Sequence, residues 1–124
     1  MKMPVEIYKE LDAICLSFPE AYKTESFNHP CWRVAKKTFA CFEVYNGEWV
    51  INFKASLIEQ DDLVRSSSLY FIAPYTGRYG WVCRRIIDVD WAQLRRQIAE
   101  SYRLNAPKSL TKAAKHGPKP VRAR

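Results

Sequence analysis

The dipeptide Asn46-Gly47 lies between two alternating, aromatic-rich runs, Thr38–Tyr45 and Glu48–Lys54. It is the strongest short-range signal for a two-residue β-hairpin, because the tight turn needs positive φ at both positions and Asn and Gly tolerate it. Taken as the loop, it pairs Tyr45 with Glu48 and sets the register. Val44 then faces Trp49, Phe42 faces Ile51 and Ala40 faces Phe53, all on one side. Cys41, Glu43, Val50, Asn52 and Lys54 fall on the other side. A slip of one residue would exchange the two faces, so an apolar set that lands together supports the register. The middle of the chain is committed to antiparallel sheet, and the same register predicts Phe39 and Val50 on an exposed face.

The flanking segments read as helices and further strands. Ile7, Leu11, Ile14 and Phe18 recur at helical spacing over residues 4–17, with Pro4 suited to the first turn and Phe18-Pro19 ending the helix. A turn near Ala35-Lys36-Lys37 joins Cys31–Val34 to the strand that starts at Thr38. Ser56 and Glu59 form a capping box for a helix to about Arg65, stopped by Ser66-Ser67-Ser68. Leu69–Ala73 and Trp81–Ile87 read as strands. Asp90, with Gln93 three residues on, caps a last helix whose stripe is Trp91, Leu94, Ile98 and Tyr102. Between the last two strands, residues 73–82 combine Gly77, Gly80, Pro74, three aromatics and Arg78, the composition of a shaped loop in which the glycines supply positive φ.

A chain of 124 residues with 48% hydrophobic and 14% aromatic content supports one domain with one core. Its short, charge-interrupted apolar stretches exclude a spanning helix, and the N-terminus lacks a secretory h-region, so a cytoplasmic monomer is expected. The net charge of +7 is unevenly distributed. Residues 1–107 hold 14 Lys and Arg against 13 Asp and Glu, a net of +1; residues 108–124 add Lys108, Lys112, Lys115, Lys119, Arg122 and Arg124 and no acid. The expectation is a nearly neutral domain over 1–107 and a flexible basic tail over 108–124, too poor in apolar residues to offset its ordering entropy.

Four separated blocks carry a resemblance: Ser26-Phe27-Asn28-His29-Pro30-Cys31-Trp32-Arg33-Val34, Lys37-Thr38-Phe39-Ala40, Ala73-Pro74-Tyr75 with Gly80-Trp81-Val82, and Ser101 to Lys108. In this order they resemble the MmcQ/YjbR family over about residues 5–110. Ala35-Lys36 departs from its pattern, which usually has Gly before Lys37. The resemblance implies an α+β fold similar to the bacterial frataxin homologue CyaY, with helices packed on one face of an antiparallel sheet. It also implies DNA binding through a paired-hairpin, double-wing surface.

Candidate nucleic-acid contacts are Lys36 and Lys37 at one turn tip, Arg78 and Tyr79 at another, and the six tail cations. Cations attract phosphate irrespective of sequence, and exposed aromatics stack on bases. The alternative is a protein- or small-ligand-binding adaptor using the Tyr75/Tyr79/Trp81 loop and the open sheet face, although Trp81 also reads as a core anchor. No catalytic residues, cofactor or metal are expected. His29 lacks a base or nucleophile partner apart from Cys31 two residues on, and a structural role is expected, in which His29 hydrogen-bonds in a corner and Arg33 forms an ion pair. Arg84 and Arg85 alternate, so one of them needs a carboxylate or an exposed sheet face. Iron on a frataxin-like fold needs an acidic ridge, whereas Glu6, Glu10 and Asp12 are interleaved with Lys2 and Lys9. Cys15, Cys31, Cys41 and Cys83 lack close metal-ligand spacing and read as reduced thiols; Cys31 and Cys41 can face one another across a strand pair.

Overall fold

The computed structural model describes residues 2–114. Helix α1 (Val5–Leu16) is followed by β1 (Tyr22–Ser26), β2 (His29–Val34), β3 (Lys37–Tyr45) and β4 (Glu48–Lys54). Then come α2 (Leu57–Ser66), β5 (Tyr70–Ile72), β6 (Trp81–Arg85), α3 (Trp91–Asn105) and α4 (Lys108–Ala114). The strands form one antiparallel sheet in the order β1-β2-β3-β4-β6-β5.

The central hairpin has the predicted register, from Tyr45 opposite Glu48 to Ala40 opposite Phe53. Its turn residues have φ of 51° at Asn46 and 79° at Gly47. Ser56 Oγ accepts from the Glu59 N–H at 3.1 Å, and Asp90 Oδ1 accepts from the Gln93 N–H at 3.1 Å, so both helix caps form as the spacing predicts. Pro4 stands one position outside its expected place, as the N-cap of α1.

Leu11, Ile14, Phe18, Leu94, Ile98 and Tyr102 pack against Trp32, Val34, Phe42, Ile51, Phe53 and Val82 of the sheet. Leu63 and Val64 of α2 join the same core. All three long helices therefore cover one sheet face, and the other carries none of them. The fold is α+β, as expected.

Two expectations about exposure fail. Phe39 is fully buried. Trp32 pairs with Ala40 but Arg33 pairs with Thr38, so Phe39 is the extra residue of a β-bulge. The bulge interrupts the alternation and lets Phe39 join Ala40 on the core side, where its ring meets Tyr102 edge-on at 5.4 Å. Val50 is also fully buried, although it lies on the helix-free face. There it forms a small second cluster with Ala73 and Cys83, walled by Tyr45, Phe71 and Trp81.

Two segments lie outside what the periodicity indicated. Strand β1 has no apolar alternation, and it joins β2 through Phe27 and Asn28 at φ 53° and 67°. At the other end, Lys108–Ala114 is helical where a flexible tail was expected to begin. Pro107 O accepts from the Leu110 and Thr111 N–H groups at 2.9 and 3.1 Å, and Leu110 packs on the main core. This aliphatic contact ties to the core a segment that composition alone does not favour as helix. Lys115, Lys119, Arg122 and Arg124 lie outside the described residues.

Candidate functional site

Strands β2 and β4 run toward the end of the sheet at which β3 and β6 begin. The Ala35-Lys36 turn, Ala55 and the loop before β6 consequently share one end of the molecule. Val34 pairs with Lys37 across the turn, and Ala35 takes the positive φ of 53° that a glycine would adopt without strain. Arg33 Nη2 donates to the Lys36 carbonyl at 2.6 Å, bracing the tip from below. That contact replaces the ion pair expected of Arg33. Lys36 and Lys37 are exposed, and with Ala35 they form one wall of a shallow cleft completed by Asn105, Ala106 and Pro107. Helix α4 thus begins beside the Lys36-Lys37 tip.

The loop between β5 and β6 is held at several points. Gly80 has φ of 103°, and a Cβ there would lie 2.0 Å from the Ala55 carbonyl oxygen. The Gly80 carbonyl accepts from the Ala55 N–H at 2.9 Å. Gly77 does not use positive φ, contrary to expectation; its need for a hydrogen side chain comes from Ile72 Cγ2, which a Cβ would meet at 2.2 Å. Buried Gln60 of α2 donates from Nε2 to the carbonyls of Gly77 at 2.7 Å and Trp81 at 3.0 Å. On this clamped frame Arg78 and Tyr79 are exposed, with the Arg78 guanidinium 4.8 Å from the Tyr79 ring centre. Tyr75 is also exposed, whereas Trp81 is half-buried against the helix-free face.

The other candidates have structural partners. Arg85 pairs with Glu48 and donates from Nε to the Ser68 carbonyl at 2.9 Å. Arg84 is buried on the core side and is satisfied by main-chain carbonyls, among them Ile87 O at 3.1 Å. His29 packs edge-on against Trp49 at 5.5 Å, a ring contact where a hydrogen-bonded corner was expected. Among the described residues no group of three or more His, Cys, Asp or Glu is gathered to hold a metal, and no helix is long and apolar enough to cross a membrane.

The helix-free face holds a pocket of about 390 Å³, lined by β1–β4 and overhung by Thr76 and Trp81. One row of side chains crosses it through register partners: Thr24 with Cys31, Cys31 with Cys41, Cys41 with Asn52, and Asn52 with Cys83. The Cys31 and Cys41 sulfurs approach to 2.7 Å. The hydrogen bond shared with Cys41, helped by the Arg33 charge, pulls the Cys31 thiol below its ordinary value against burial and Glu43. The same bond and burial push Cys41 up. Burial raises the Glu43 carboxyl, which accepts from Asn52 Nδ2; burial also pushes Cys83 up to about 12. Asn52 Oδ1 is buried without a hydrogen-bond partner among the described residues. Strand alternation already put Cys41, Glu43 and Asn52 on this face. The pocket was not visible in the sequence because its outer wall is β1.

These features define a small α+β domain with one sheet face left open beside a basic end. A family profile for YjbR matches residues 16–104, and the chain belongs to the YjbR family. It shares its fold with the crystal structure of Deinococcus radiodurans protein DR2400, a DUF419-domain protein, at a TM-score of 0.72 and 18% identity, over 88% of this chain and 86% of that one. No curated protein matches the sequence.

Proposed function

We propose that the chain binds DNA without catalysis, through largely sequence-independent phosphate contacts made by its basic end. The observation that carries this reading is the cleft shared by Lys36, Lys37 and Pro107, because it joins a cationic turn tip to the root of the basic C-terminal segment. The Arg78/Tyr79 loop at the same end of the sheet adds a cation and a flat ring. Without the C-terminal cations the domain is close to neutral, so most of the attraction is assigned to Lys108, Lys112, Lys115, Lys119, Arg122 and Arg124.

The test is duplex binding by the full chain as salt is varied. Six phosphate contacts give log K against log salt a slope of roughly −5. Replacing the six C-terminal cations with Gln should flatten most of that slope. Absence of binding in low salt, or a slope unchanged by the replacement, overturns the reading.

An adaptor role is the second reading, favoured by Tyr75 at 96% and Tyr79 at 55% exposure on a clamped loop. Partner capture that is lost with Tyr79→Ala and Arg78→Ala, while duplex binding is unchanged, would favour it.

A further inference from the structure

We propose that Cys31 and Cys41 form a redox-active dithiol on the open sheet face that exchanges with low-molecular-weight disulfides, with Cys31 attacking and Cys41 resolving. The inference is independent of DNA binding.

The geometry singles out this pair. Cys31 and Cys41 are direct partners across β2 and β3. Residues directly opposite in antiparallel strands have Cα atoms about 4.5–5.5 Å apart, inside the range of about 4.4–6.8 Å that a disulfide spans. With the sulfurs at 2.7 Å, closing the bond needs side-chain rotation and no strand movement. Cys83 lies in the same row but beyond Asn52, two strands from Cys41 and roughly 10 Å away at the usual strand spacing. Cys15 is buried in α1, on the opposite side of the sheet.

Access and polarity fit the chemistry. Both cysteines line the pocket, Cys41 partly exposed and Cys31 buried, so the pocket is the route a small disulfide takes to them. The nucleophile in exchange is the thiolate. Either sulfur can donate in the bond they share. That bond and the Arg33 charge lower the Cys31 thiol while the same bond and burial raise Cys41, which favours Cys31 as the thiolate. The Cys31 thiolate attacks one sulfur of RSSR, forming Cys31–S–S–R and releasing RS⁻, which takes up the proton that Cys31 had given to solvent. Cys41 then attacks the Cys31 sulfur; the Cys31–SR bond breaks and the Cys41 proton leaves with RSH. The two protein thiols are oxidised to one disulfide, and RSSR is reduced to two RSH.

The full chain, equilibrated with glutathione disulfide and glutathione, is quenched in acid, alkylated and mapped by peptide mass. The expected result is a Cys31–Cys41 linkage with the loss of two hydrogens, while Cys15 and Cys83 remain alkylatable. Alkylation of all four thiols in the fully oxidised couple, or a linkage involving Cys15 or Cys83, overturns the proposal. Cys41→Ser should accumulate glutathione on Cys31 at least tenfold faster than Cys31→Ser accumulates it on Cys41. Equal rates overturn the assigned order of attack.

Discussion

Gly77 and Gly80 stand three residues apart in one loop, yet their substitutions should have different costs. A side chain at Gly80 meets main chain, the Ala55 carbonyl oxygen, and must also hold φ of 103°. Gly80→Ala is expected to cost about 3 kcal/mol, lowering Tm by roughly 10 °C in a thermal melt. Gly77→Ala meets a methyl of Ile72, whose half-exposed side chain can rotate away, so about 1 kcal/mol is expected. The composition of the loop announced that its glycines matter. It did not reveal the reason at Gly77, because the obstructing atom belongs to a strand placed there by folding. Glu43 gives a pH signature. Its burial raises the carboxyl above its ordinary value, so the folded state holds the proton more tightly than the unfolded state. The stability from the neutral acid is complete below the unfolded value and is lost as pH rises through the folded one. Glu43→Gln should therefore raise Tm by a few degrees at neutral pH, and the gain should vanish as pH falls below about 4. A gain that grows in acid would contradict the assignment.

Among the elements, the join between α3 and the β3 bulge is the most consequential. Ser101 Oγ donates to the Phe39 carbonyl at 2.6 Å and accepts from the Lys54 N–H at 2.8 Å. One hydroxyl thus satisfies main-chain groups on two neighbouring strands at the point where the bulge disturbs the ladder. Ser101→Ala leaves both groups without that partner, at an expected cost of about 2–4 kcal/mol. Urea denaturation measures it, and a loss within about 0.5 kcal/mol, ordinary for surface substitutions, would show that water replaces the hydroxyl. The hairpin register and both helix caps were legible because each depends on residues within a few positions of one another. The bulge was not, since nothing local distinguishes Phe39 from a residue in regular alternation. Strand β1 was equally silent. Its sequence, Tyr-Lys-Thr-Glu-Ser, is mostly exposed in the fold and shows no apolar period.

For the whole molecule, the distribution of charge is the feature that sequence expressed best and structure sharpened. Counting residues separated a neutral domain from a basic segment; the strand directions gather Lys36, Lys37, Arg78 and the start of α4 at one end. If both lysines contact phosphate, replacing Lys36 and Lys37 with Gln should make the slope of log K against log salt shallower by about 1.8. An unchanged slope would remove the turn tip from the interface. The open pocket was less legible, because it exists only once β1 is laid beside β2. The margins of the sheet carry a consequence of another kind. One margin is β1, whose exposed positions include Lys23 and Glu25, and the other is β5, only three residues long. Charge along one edge and brevity at the other leave little template for a foreign strand. Concentrated solutions of the folded chain should therefore resist strand-by-strand growth into fibrils from either side.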